Sequence, residues 1–428
     1  MTTVTRTLDS QSPIVLERAE VRSWKAPIAL AVFVVIGAVV FIGFGRDGAS
    51  TFVLSRRGDA IQIPGIVAPT LATCIAVVLL LAAITAWSAY RAYGARKTPV
   101  WALGLFGFLF VVGFLTWAAA GASLPVSGLL IGTLGISVPL IFGALGGVIS
   151  ERAGVVNVAI EGQLLAGAFV AAVVASVTRQ PLLGLAAAMI AGVLVSFVLA
   201  AFAIKYLVDQ VIVGVVLNVL VAGLTSFLFS QVLSEDTALL NSPPGFDPIN
   251  IPILSEIPIL GPVLFRQTII VYVMYVAIAA VWFALYRTRW GLRVRSVGEH
   301  PHAADSVGIN VASTRFWSVS LAGAIAGFGG AYLTLDAVGS FNKEMTAGAG
   351  FIALAAVIFG RWDPIKATLA ALLFGFATNL QNVLSIIGSP VPSEFMLMLP
   401  YIVTIFAVAG LVGKSRPPAA DGKPFIKS

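Results

Sequence analysis

"GLRVRSVGEHPHAADSVGIN", Gly291–Asn310, is a charged, punctuated stretch between two long apolar runs. It holds Arg293, Arg295, Glu299 and Asp305, and both histidines of the chain, His300 and His302. The 428-residue chain around it is 59% hydrophobic and only 11% charged, with a mean hydropathy of +0.99. Soluble domains carry about 25% charged residues, so this chain cannot cover a soluble surface. Its apolar runs reach the ~20 residues that a helix needs to cross a bilayer. Helices satisfy their own backbone hydrogen bonds in lipid. The reading is an all-α polytopic membrane protein, with 291–310 lying outside the bilayer.

Twelve transmembrane helices are expected, over 26–45, 64–90, 99–120, 127–149, 155–178, 182–204, 211–232, 267–286, 316–337, 345–360, 364–388 and 394–413. The first follows Arg18, Arg22 and Lys25, but it is too long for a signal peptide and no A-x-A site follows. The 345–360 run is short and Gly-rich, as a half-helix or re-entrant segment would be. The 155–178 run begins weakly, with Asn157 and Glu161 in its first turns. "RAYGARKT", Arg91–Thr98, separates two extra helices from the rest. The organisation expected is 1–98 as tail and extension, 99–413 as the main membrane domain, and 414–428 as a second tail.

Charge sets the orientation. With the N-terminus inside, only Arg46, Arg56, Arg57, Arg179, Arg266 and Lys343 fall outside, and the other 20 of the 26 basic residues fall inside. That excess places both termini in the cytoplasm and gives an even number of crossings. The same clustering beside apolar runs argues against nucleic acid as the partner of the +7 net charge. The single cysteine, Cys74, lies in an apolar run and reads as a packing residue. The outer loop 233–265 is nearly uncharged and Pro-rich, which blocks a regular helix. It is either a rim for docking or a plain connector.

Polar residues inside apolar runs need a reason. Asn157 and Glu161, in "SERAGVVNVAIEGQ", are spaced i, i+4 and would share one face of a helix. Asp209 and Gln210 open a run that holds Asn218 two turns on, and Asn379, Gln381 and Asn382 sit in the eleventh run. Such amides suit a neutral, hydroxyl-rich solute; interhelical hydrogen bonding is the plainer use. Gly323 and Gly327 have the G-x-x-x-G spacing of close helix contact.

Nothing here hydrolyses ATP by the P-loop route. "GLVGKS", 410–415, lacks the first glycine of that motif and has no strand before it. No catalytic triad order or metal-binding spacing appears, so a membrane-embedded enzyme is disfavoured. Within the opening stretch, Pro301 suits the first turn of a helix and Gly308 its end. "HAADSV" between them gives about two turns, with Ala303, Ala304 and Val307 as a small apolar face. It is a knob for a partner's socket or an ordinary basic loop.

"AADSVGIN" in this stretch resembles the A-A-x-x-x-G core of the coupling loop in ABC importer permeases. His302 stands where that loop usually has a glutamate. "GGVISERAGVVNVAIEGQLLAGAF" (146–169), "RTRWGLRVRSVGEHPHAADSVGINV" (287–311) and "MTAGAGFIALAAVIFGRWDP" (345–364) resemble permeases for nucleosides or simple sugars. These belong to the superfamily that also handles ribose, galactosides and branched-chain amino acids. The resemblance covers roughly 125–413, with a core of about 9–10 helices and the first spans as an N-terminal extension.

It implies a permease subunit that is not itself an enzyme and binds no cofactor. ATP would be used by a partner ATP-binding cassette ATPase. The other implied partners are a second permease subunit, often a paralogue, and an extracytoplasmic substrate-binding lipoprotein, in a bacterial plasma membrane. Coupling to the ATPase would fall on Glu299, Pro301, Ala303, Ala304, Asp305 and Gly308. Asn157, Glu161 and Asn218 would lie near the substrate pathway. The alternative is an ion-coupled secondary transporter, although no carboxylate lies in mid-span as an obvious proton relay.

Overall fold

The computed structural model describes residues 23–56, 59, 61–389, 391–392, 394–395, 398 and 416–427. The chain divides into two compact units, 1–51 with 67–123, and 52–66 with 124–428. The first unit holds three apolar helices, α1 (Lys25–Gly43), α2 (Thr70–Tyr93) and α3 (Val100–Ala118). Leu30, Val77, Leu81 and Phe106 interlock at their centre, and Phe33 stands edge-on to Phe110 at 5.5 Å. Cys74 is buried and free, its Sγ 3.8 Å from the Gly113 carbonyl, in the packing position expected.

The second unit holds α4 (Val126–Arg152), α5 (Ile160–Thr178), α6 (Pro181–Lys205), α7 (Gln210–Leu233) and α8 (Ile269–Arg287). Two short helices follow, α9 (Arg289–Glu299) and α10 (Pro301–Ser306). Then come α11 (Val311–Ala337), the 11-residue α12 (Ala349–Phe359) and α13 (Pro364–Ile386). Among the described residues ten helices are long and apolar enough to cross a bilayer. The 345–360 run yields only α12, because the chain stays in turns until Gly348, which takes φ +83°. The 394–413 run lies almost wholly outside the described residues. The outer loop forms no long helix, only a two-residue ladder of Ile249–Asn250 with Arg266–Gln267 and a few short turns.

The unit is apolar inside and apolar outside. On α7, Val211, Ile212, Val215, Val216, Val219 and Leu220 are all exposed, as a lipid-facing stripe must be. The chain is a multi-pass membrane protein. Its helices meet through small residues rather than large ones. A methyl group on Gly323 would overlap the Gly192 carbonyl and the Ser196 hydroxyl, and one on Gly327 would overlap the Ala188 carbonyl. The G-x-x-x-G spacing thus brings α11 against α6 at backbone distance. α11 also packs on α4 and α5, so it runs through the middle of the unit.

Candidate functional site

The charged stretch folds as two helices and a turn. Thr288 Oγ1 accepts from the Gly291 amide and caps α9. α9 is amphipathic: Gly291, Val294, Val297 and Gly298 are buried, while Leu292, Arg293 and Glu299 are exposed. Pro301 opens α10, where its missing N–H costs nothing. Gly308 takes φ +85° just beyond it, a backbone that glycine adopts without strain. Asn310 Oδ1 then accepts from the Ser313 amide and starts α11. Proline and glycine frame the helix as expected, but it has six residues, fewer than two turns.

The apolar face expected of Ala303, Ala304 and Val307 does not exist as one surface. Successive helical residues point about 100° apart, so neighbours in sequence diverge. Ala304 is 3% exposed and packs with Val297 and Val311. Val307 is 75% exposed, and Ala303 and Gly308 are also exposed. Ala304 anchors the helix to the body, and the others face outward. Beside them lies an open groove of about 560 Å³, lined by Trp290, Arg293, Val307, Ile309, Asn310 and Trp317, with Ser313 and Thr314 at its wall. Of the remaining candidates, Glu299 accepts from the Ala419 amide at 3.2 Å. Asp305 lies 3.9 Å from Lys427.

The three stretches 146–169, 287–311 and 345–364 meet in space. Arg361 and Trp362, in the turn between α12 and α13, both take positive φ, +56° and +54°. Such a backbone is strained for large side chains and persists only where the surroundings hold it. The holding groups come from α4. Trp362 Nε1–H donates to Glu151 Oε2. Arg152 Nε donates to the Trp362 carbonyl at 2.9 Å, and its Nη2 reaches Tyr286 Oη at 3.3 Å. Gly298 of α9 lies so close to the Arg152 carbonyl that a methyl group there would overlap it. One knot therefore joins the ends of α4, α8, α9, α12 and α13.

Asn157 and Glu161 do not share a helix face. α5 begins only at Ile160, after Gly154 (φ +87°) and a short non-helical run. Asn157 is fully buried and exchanges two hydrogen bonds with Gln163, at 3.0 and 3.2 Å. Gln163 also donates to Ser196 Oγ. Asn218 bridges the same break, accepting from the Gly162 amide and donating to the Val158 carbonyl, both at 2.8 Å. Glu161 turns away to the start of α12. It accepts from Thr346 Oγ1 at 2.6 Å and from the Gly348 and Gly350 amides at 2.9 and 2.6 Å. Asn157 and Asn218 are thus brought together around one break, while Glu161 clasps a second.

Several further residues belong to the site. Gln210, noted at the start of its apolar run, and Gln163 and Ser196, which were not singled out, complete the amide network, with Gln210 Oε1 accepting from the Val156 amide at 2.8 Å. Polar residues in apolar runs were the available signal for them. Trp362 and Arg315 carried no such signal, because their partners lie far away along the chain. Arg315 is 2% exposed and donates to the Lys423 carbonyl at 2.9 Å.

The sequence has relatives among known proteins. Residues 129–408 match the family model described as branched-chain amino acid transport system / permease component. The guanosine ABC transporter permease protein NupQ of Bacillus subtilis is 42% identical over 308 residues, 69% of this chain and 95% of that one. The nucleoside ABC transporter permease protein NupC of Lactococcus lactis is 40% identical over 306 residues, 68% and 94% of the two chains. The glucose ABC transporter permease protein TsgB13 of Haloferax volcanii is 30% identical over 253 residues, 56% and 65%. No solved structure gives a significant match. The matched region begins in α4 and takes in the amide network, the Glu161 clasp and the α9–α10 segment. On those grounds the chain belongs to the branched-chain amino acid transport system / permease component family, the membrane-spanning permeases of ABC transporters.

Proposed function

We propose that this chain is the permease subunit of an ABC importer in a bacterial plasma membrane, and that its solute is a nucleoside. Both termini and the α9–α10 segment face the cytoplasm. There α10 docks on a separate ATP-binding cassette ATPase, which consumes the ATP; this chain binds no cofactor and is not an enzyme. A second permease subunit, a paralogue, completes the pathway, and an extracytoplasmic lipoprotein delivers the solute.

The observation that carries the reading is the two-sidedness of α10. Its Ala304 side is anchored, while Ala303, Val307 and Gly308 stand exposed beside the 560 Å³ groove. The chain passes directly from α10 into α11, the helix packed on α4, α5 and α6. A push on α10 therefore reaches the middle of the unit, as a rigid element that transmits domain motion must allow. The nucleoside is supported by the names of the two relatives at 42% and 40% identity. Asn157, Glu161 and Asn218 shape the wall of the pathway from behind, since protein partners occupy their polar atoms.

The docking face can be tested without disturbing the fold. Val307→Asp puts a charge on a side chain 75% exposed, where substitutions usually change stability by within about 0.5 kcal/mol. The variant is expected to insert and purify normally while co-purification of the ATPase falls at least roughly tenfold, the change that about 1.4 kcal/mol produces. Full recovery of the ATPase with undiminished transport would remove α10 as the docking element.

A further inference from the structure

The C-terminal segment 416–427 lies beyond residues 129–408, which the family model matches. It is not a loose tail. The Ala420 amide donates to the Gly298 carbonyl at 2.8 Å, at the end of α9. The Ala419 amide donates to Glu299 Oε2 at 3.2 Å. Arg315, on the first turns of α11, donates to the Lys423 carbonyl at 2.9 Å and approaches the Ala420 carbonyl at 3.5 Å. Phe425 packs against Val297, Ala304 and Val311, and its ring centroid lies 5.1 Å from that of His302. Gly422 sits against Val156, in the break after α4. One short segment thus touches α9, α10, α11 and the α4–α5 break at once.

We propose that residues 418–427 form a strap that clamps α10 to the inner ends of α4 and α11, making the docking helix and the membrane core move as one body. The inference rests on the permease reading above and deepens it. α10 has six residues and buries only Ala304 among its side chains. Phe425 packs on the small apolar cluster to which Ala304 belongs. The His302 ring of α10 also meets Phe425. Without the strap, α10 would hinge at His300 and Gly308 and give way when pushed.

The strap also carries a titrating group. Burial pushes the Asp421 carboxyl up to about 7, against the opposing pull of the Gly422 amide and the Arg315 guanidinium. Arg315 of α11 and Glu151 of α4 are the charged side chains facing it. The docked form therefore holds the proton more tightly than the released form. Docking is strongest below the ordinary carboxylate range and weakens as pH rises through 7. Between pH 6 and 8 the docking equilibrium is expected to shift toward release.

Two measurements test the strap. A spin label at Ile426→Cys, in a Cys74→Ala background of the full chain, reports docking without any partner. The label is expected to be immobile, freer at pH 8 than at pH 6, and released by Phe425→Ala. Asp421→Asn should remove the pH dependence. The second measurement is solute moved per ATP hydrolysed by the assembled complex. Phe425→Ala, and truncation after Pro417, are expected to lower that ratio about tenfold with hydrolysis largely kept, while Phe425→Tyr restores it. A label that tumbles freely in the otherwise unaltered chain overturns the strap. So does a strap-released complex with an unchanged ratio. Uptake by the wild-type complex that ignores ATP overturns the permease reading and the strap together.

Discussion

Glu161→Ala is expected to abolish transport and to destabilise the chain by on the order of 2 kcal/mol, because it strands three part-buried donors at once. Thr346 Oγ1–H and the Gly348 amide share Glu161 Oε1, and the Gly350 amide takes Oε2. The Thr346 hydroxyl can rotate to another acceptor, but the two amides cannot. They mark the point where the chain leaves its turns and enters α12, with Gly348 in a left-handed backbone. Without the carboxylate this entry loses its only side-chain acceptor among the described contacts. Glu161→Gln is the informative companion. Its carbonyl can replace one oxygen, but its NH₂ would then face an amide N–H, donor against donor. It should fall between wild type and alanine in thermal stability. An alanine variant with wild-type melting temperature and uptake would show that the clasp does not organise α12.

Ala304→Leu is expected to separate ATP hydrolysis from solute movement. Ala304 is 3% exposed and clusters with Val297 and Val311, with Phe425 packed on the cluster. Overfilling such a site costs about 1–3 kcal/mol, enough to displace a helix that small but not to unfold the bundle. The complex should still assemble and hydrolyse ATP, while transport falls on the order of tenfold, the effect of about 1.4 kcal/mol. Gly308 offers a contrast. A side chain there meets nothing within 4 Å, but φ is +85°, so the cost of Gly308→Leu is backbone strain of roughly 1–2 kcal/mol. It should shift the α10–α11 turn with a smaller loss. Equal and full transport in both variants would show that the placement of α10 is not what transmits the stroke.

Sequence patterns reached the elements whose causes are local. Pro301 and Gly308 delimit α10 through their own backbone preferences, so its position was legible and only its length was overestimated. The run at 345–360 was counted among the crossings but noted as short and Gly-rich, and only the 11-residue α12 forms there. Asn157 and Glu161 show where local reading stops. Their i, i+4 spacing is real, but Gly154 and the non-helical run after it put Asn157 outside α5. Their partners were out of reach as well. Glu161 binds residues 185 to 189 positions away, and Arg315 binds the C-terminal segment 105 to 108 positions away. Contacts of that separation follow from the packed bundle and leave no periodic trace. The apolar face assigned to α10 failed for a related reason. Helical geometry gives the directions of Ala303, Ala304 and Val307, but not which direction the protein fills.

On this reading the chain moves solute only when an ATPase drives it through α10. The direct measurement is nucleoside uptake into proteoliposomes that contain the chain with its second permease, ATPase and binding lipoprotein. Uptake should require hydrolysable ATP, persist when proton and sodium gradients are collapsed, and fall at least roughly tenfold with Val307→Asp. Uptake by this chain alone, driven by an ion gradient and indifferent to ATP, would contradict the account.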